Sequence, residues 1–130
     1  MGPMLLLDSQ VVIWLVDDNP RLGQRARRRI ENADTVYVSA ATVWELTIKK
    51  MLGKLDLPEA FDIALGEQGI TYLSVTAGHA AGIQDFPELG RHDPFDRLLV
   101  AQASQERCDL LTADQVLLAT SYPFVVDATR

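Results

Sequence analysis

Four carboxylates stand where a strand should be ending or a helix beginning: Asp8 in MLLLDSQVVIWLV, Glu45 in ATVWELTIKK, Asp96 in DPFDRLLVAQA and Asp114 in LLTAD. Asp8 interrupts an almost unbroken apolar run, where an isolated ionised carboxylate is costly unless it takes a proton or finds a partner. If the four acids converge, their mutual repulsion would protonate several of them at neutral pH. Divalent cations remove that difficulty. Mg²⁺ and Mn²⁺ prefer oxygen ligands, and magnesium keeps waters that a phosphate can displace. A carboxylate-held pair of such ions suits phosphodiester cleavage, one activating water and the other steadying the leaving oxygen.

Each acid also has a plainer use. Asp8 and Asp114 could cap the helices that follow them. Glu45 precedes Lys49 by four residues, the order of a helical ion pair, yet it lies between Trp44 and Leu46 in apolar surroundings. Asp96 is the third residue of its helix and could complete a capping pair with Asp93. Ser9 and Thr112 place hydroxyls beside Asp8 and Asp114, where they could orient water or phosphate or simply bond to local backbone. His79 and His92 are far apart in sequence and read as structural or surface residues rather than ligands. With a single cysteine, Cys108, no zinc spacing competes.

Those acids need a scaffold that brings them together. MLLLD (4–8) reads as a buried strand and 9–16 as a short helix stopped at DDNP. A polar helix follows over 21–33, then a strand over 35–39 and a helix over 40–52 with Ser39 as N-cap and Gly53 as its end. A helix over 57–69 opens at Pro58. A strand (70–75), a short helix (76–86) and a helix over 93–107, capped by Asp93 with Pro94 first inside, come next. The chain closes with a strand (109–112), a short helix near 115–120 and a strand (124–126). Alternating strands and helices imply an α/β fold around a parallel sheet with helices on both faces. Sites in such sheets form outside the carboxyl ends of the strands, where Asp8 and Asp114 fall.

The bulk properties fit this scaffold. The chain has 130 residues, 48% hydrophobic and 23% charged, the size of one domain with a single core. Residues 4–130 are read as that domain, and Met1-Gly2-Pro3 as an expression scar ahead of Met4. No signal peptide or apolar stretch of membrane-spanning length is visible, and a lone cysteine favours a reducing cytoplasm. The net charge is −6, which argues against tight non-specific nucleic-acid binding. Charge is segregated, however: Arg21, Arg25, Arg27, Arg28 and Arg29 crowd one segment, and Lys49, Lys50 and Lys54 another.

Together LLLDSQVVIWL, YVSAATVWELTIKKMLGKLDLP, HDPFDRLLVAQA and LLTAD resemble the PIN-domain family, specifically the VapC-type toxins of bacterial toxin–antitoxin pairs, from Met4 to about Val126. The resemblance implies a three-layer α/β/α fold with a central parallel sheet of four to five strands. It implies a metal-dependent endoribonuclease that cuts structured RNA, tRNA or rRNA, and so arrests translation in the cytoplasm. The family's acids correspond to Asp8, Glu45, Asp96 and Asp114, with Asp8 and Asp96 most like direct ligands of Mg²⁺ or Mn²⁺. Many relatives read Asp-Thr-His where this chain has Asp8-Ser9-Gln10, so Gln10 is assigned no part in proton transfer. A VapB-like antitoxin and a homodimer are further implications. Val12, Trp14, Leu15 and Trp44 could line the antitoxin's groove or, more simply, belong to the core.

The alternative is a non-catalytic PIN-like interaction module whose acids only cap helices. It predicts no dependence on divalent ions. A phosphorylated receiver would want paired acids after the first strand and a late lysine, and none follows Lys54. A phosphatase with Asp8 as nucleophile would want an aspartate where Gln10 stands.

Overall fold

The computed structural model describes residues 3–130; Met1 and Gly2, most of the segment read as an expression scar, lie outside them. The strands are β1 (Met4–Leu7), β2 (Thr35–Ser39), β3 (Thr71–Leu73), β4 (Asp109–Thr112) and β5 (Val125–Asp127), and the helices α1 (Ser9–Val16), α2 (Gln24–Asn32), α3 (Ala40–Met51), α4 (Phe61–Glu67), α5 (Ala77–Gly82), α6 (Pro94–Glu106) and α7 (Gln115–Leu118). All five strands are parallel, in the order β3-β2-β1-β4-β5.

β1 is central, and this explains its continuous apolar run. A strand flanked by neighbours and covered on both faces has no solvent side to mark with polar residues. Leu7, Val36, Val38 and Leu111 pack with Val11, Val12, Trp14 and Leu46 on one face. Leu6 and Leu110 turn to the other face, against Leu99, Val100 and Ala103 of α6 and Leu117 of α7. The sheet with a helical layer on each face is the three-layer α/β/α architecture read from the sequence. None of the described helices is long and apolar enough to cross a membrane.

Several ends differ from the expected ones. The helix expected over 21–33 begins at Gln24, because residues 19–23 form a turn held by the Arg27 guanidinium. That group donates to the carbonyls of Asn19 (2.8 Å) and Leu22 (3.0 Å) and pairs with Asp18 at 2.7 Å. Gly23, ahead of α2, lies so close to the chain's end that a Cβ there would stand 2.2 Å from the Arg130 carbonyl oxygen. Pro58 does not open a helix: Ala60, with φ 54°, breaks the backbone before α4 starts at Phe61. The 70–75 strand shortens to β3, and the 76–86 helix becomes α5 plus a 3₁₀ turn at Ile83–Asp85.

The topology reverses at β1. From β1 the chain winds outward through β2 to β3, then returns to β1's other side for β4 and β5. A crevice opens at the carboxyl ends of β1 and β4, where the crossovers leaving these two neighbouring strands depart in opposite directions. Leu6 is fully buried beneath it, whereas Met51 is 80% exposed. Leu6→Ala should therefore cost about 2–5 kcal/mol, and Met51→Ala no more than about 0.5 kcal/mol, measured by urea unfolding.

Candidate metal centre

Asp8 follows β1 directly and Asp114 lies two residues beyond β4, so the register of these paired strands sets both acids at the reversal. Glu45 projects from α3, which starts immediately after β2. Asp96 stands in the first turn of α6. All four line one open cleft of about 460 Å³, together with Ser9, Asp93 and Lys49 among others. The convergence expected from sequence is present.

Capping and site membership prove compatible, because a carboxylate has two oxygens. Asp8 Oδ1 accepts from the Val11 amide at 2.8 Å and caps α1, while Oδ2 accepts from the Thr112 hydroxyl. Asp114 Oδ1 accepts from the amides of Val116 and Leu117 at 2.9 and 3.1 Å and caps α7; its Oδ2 faces His92. Asp93 caps α6 through the Phe95 amide at 2.8 Å. Asp96 makes no cap and turns instead to His92. Helix entry thus fixes one oxygen of Asp8 and of Asp114 and leaves the other for chemistry.

The hydroxyls left open by sequence also find roles. Thr112 Oγ1 accepts from the Asp114 amide at 3.0 Å while donating to Asp8, linking two acids through one side chain. Ser9 donates to Glu45 Oε1, and Lys49 Nζ lies 3.4 Å from Glu45 Oε2. The Glu45–Lys49 pair forms as spaced, but the Glu45 side chain is only 12% exposed and points into the cleft rather than to open solvent.

His92 is the residue that sequence reasoning set aside. Its Nε2 stands 3.1 Å from Asp96 Oδ2 and 3.2 Å from Asp114 Oδ2, and it is half-buried with both. The spacing of four from Asp96 carried no helical meaning, since α6 begins only at Pro94. The turn ahead of the helix folds the ring back over the acids. His79 matches its expected structural role: it is buried and joins Thr76 in a reciprocal cap of α5. Of the apolar residues weighed for a groove, Val12 and Trp14 are buried, Leu15 is half-buried and Trp44 is 63% exposed.

The electrostatics follow from this crowding. Burial raises the Asp8 carboxyl above its ordinary range, and the nearby Asp114 adds to the rise; hydrogen bonds from Thr112 and Val11 oppose it. Asp96 is pushed up to about 7, first by burial and then by Asp114, Asp93 and Asp8, with only His92 pulling it down. Two acids held this way are short of positive charge. One ligand atom from each of His92, Asp96 and Asp114 lies within 4.8 Å of the others, and Asp8 and Glu45 border the same cleft. The donor set, carboxylate oxygens with one imidazole nitrogen, fits a divalent ion such as Mn²⁺ or Mg²⁺.

A carboxyl that folding raises binds more protons folded than unfolded between the two pKa values, so stability falls as pH rises through that window. For Asp96 the window runs from its ordinary 3.8 to about 7. Metal-free protein should therefore lose melting temperature across that range, and Asp96→Asn should flatten the loss, as followed by calorimetry in EDTA.

Comparison with known proteins agrees with this fold. A profile of the PIN domain matches residues 5–121. Ribonuclease VapC22 of Mycobacterium tuberculosis is 29% identical over 121 residues, covering 92% of this chain and 93% of that protein. Among solved structures, a toxin–antitoxin complex from Klebsiella pneumoniae contains a similar fold, with a TM-score of 0.66 at 18% identity, over 94% of this chain and 95% of that one. VapBC2 from Rickettsia felis, bound to a DNA fragment from its promoter, gives 0.68 at 14%, over 95% and 96%. With its matched segment running from β1 through α7 and including all four acids, the chain belongs to the PIN-domain family.

Proposed function

We propose that this chain is a divalent-metal-dependent endoribonuclease toxin of VapC type, acting in the cytoplasm on structured RNA, tRNA or rRNA, and neutralised by a VapB-like antitoxin. The observation that carries the reading is the meeting of Asp8, Glu45, Asp96 and Asp114, drawn from four distant parts of the chain, in one cleft at the sheet's reversal. The similarity to a ribonuclease along nearly the whole chain supports the same chemistry.

Asp96 and Asp114, with His92 between them and Asp8 alongside, would hold the ion. When bound, a divalent ion supplies the positive charge that offsets the phosphodiester and favours loss of a proton from water. The chain's own residues do the positioning. Thr112 orients Asp8 and Asp114 together, and Ser9 holds Oε1 of Glu45. Glu45, fixed through Oε1 by Ser9 and through Oε2 by Lys49, faces the cleft as a carboxylate that can orient the attacking water. Lys49 brings an ammonium to the cleft wall, where a phosphate oxygen can meet it. Hydrolysis adds water across one P–O bond, and the departing ribose oxygen takes up a proton.

The partner reading has its own surface. Trp44, Ile48, Met51 and Leu52 follow one another at helical spacing along α3 and its end, with exposures of 63%, 37%, 80% and 64%. Trp44 also meets Phe95 edge-on at 5.4 Å beside the cleft mouth. A contiguous exposed apolar face suits an antitoxin segment or the second copy of a homodimer.

Asp8→Asn and Asp96→Asn should fold normally yet lose RNA cleavage by more than about 100-fold, since even partners of metal ligands act on a 10–100-fold scale. Thr112→Val and Ser9→Ala should fall within that smaller range. EDTA should abolish cleavage and excess Mn²⁺ restore it. Full activity of the Asp96→Asn protein, or cleavage that persists in chelator, would contradict the proposal; in-gel RNA cleavage and growth arrest on induction are the readouts.

A further inference from the structure

The arginine-rich segment plays no part in the acidic cleft. Arg25, Arg28, Arg29 and Asn32 recur at the spacing of one face of α2. With Pro3 and Leu5 they line a separate cleft of about 510 Å³ beside the amino end of β1. Arg27, by contrast, is turned inward to brace the preceding turn. Among the described residues, Arg25 and Arg28 have no ion-pair partner, and Arg29 reaches only Asp109, at 3.9 Å. Three exposed guanidiniums are gathered on one wall of a chain whose net charge is −6. Nothing in the packing requires them, as Ala26 is the only buried residue of α2.

We infer that this cleft is a second binding site for the phosphate backbone of RNA, remote from the bond that is cut; the inference rests on the ribonuclease reading above. Guanidinium groups present forked donors that match phosphate oxygens. The four residues of β1 span about 13 Å between the two clefts. A stacked strand advances about 3.4 Å per nucleotide along its axis, so about four nucleotides cover that length. The site would raise affinity for long, folded RNA and leave a dinucleotide unaffected. It also answers how an acidic protein holds a polyanion: the repelling and attracting charges lie at opposite ends of the sheet.

The test uses the full chain and fluorescently labelled bulk tRNA in EDTA, so that binding is read without cleavage. Arg25→Gln, Arg28→Gln and Arg29→Gln combined should weaken binding at least tenfold and flatten the slope of log affinity against log salt by about two. A charge-matched control, Arg21→Gln with Lys54→Gln and Arg107→Gln, should change binding far less. With Mn²⁺, the first variant should show a raised KM for tRNA and an unchanged rate on a dinucleotide. Equal losses in both variants, or none in the first, would overturn the inference while wild-type cleavage left the ribonuclease reading intact. Wild-type protein that neither binds nor cuts total cellular RNA, tRNA and rRNA together, would overturn both, and loss of affinity for a polyglutamate peptide but not for tRNA would assign the cleft to an acidic protein segment instead.

Discussion

Repulsion among carboxylates is the constraint around which this molecule is arranged. Asp8 is almost fully buried and Asp96, Asp114 and Glu45 are largely so, all on one cleft. Such a group is unfavourable to fold, and burial already drives Asp8 and Asp96 towards their neutral forms. The fold tolerates the cost because each acid is fixed by something it also needs. Two enter helices as caps, Thr112 ties those two together, Ser9 and Lys49 hold Glu45, and His92 stands between Asp96 and Asp114. What these partners leave uncompensated is the driving force for cation binding.

The parallel sheet makes that arrangement possible. Its strands all end on one side, and the order β3-β2-β1-β4-β5 opens a gap beside β1. The buried leucines of β1 and β4 pack both helical layers against the sheet, so the backbone carrying Asp8 and Thr112 is among the least mobile parts of the chain. Rigid strand ends position the acids more tightly than loops could. Where charge is concerned the two ends of the sheet differ in sign, acidic at the carboxyl ends and arginine-rich beside the amino end of β1.

Much of this was legible in the residues. The doubly covered strand MLLL, the alternating TVYVS and the cap-and-proline start of α6 declared themselves by pattern, and their order implied the parallel sheet. The family resemblance pointed to Asp96 rather than Asp93 as the site acid of DPFD, a choice that spacing left open; both line the cleft, and Asp93 caps α6. Local chemistry misled where tertiary contacts decided the outcome. Pro58 resembles a helix start, but Ala60 adopts a left-handed conformation and delays α4. Arg21 to Gly23 have helical neighbours, but Arg27 braces them as a turn. His92 was illegible for a further reason. Its contacts with Asp114 span the turn into α6 and the end of β4, and no periodicity encodes such a meeting.

Anomalous scattering from a crystal of the protein soaked in Mn²⁺ shows directly whether the acids gather around a cation. An anomalous peak is expected inside the cleft bordered by Asp8, Asp96 and Asp114, within ligand distance of at least two of those carboxylates. An empty cleft at millimolar Mn²⁺, with the acids bonded to one another through shared protons, would contradict it.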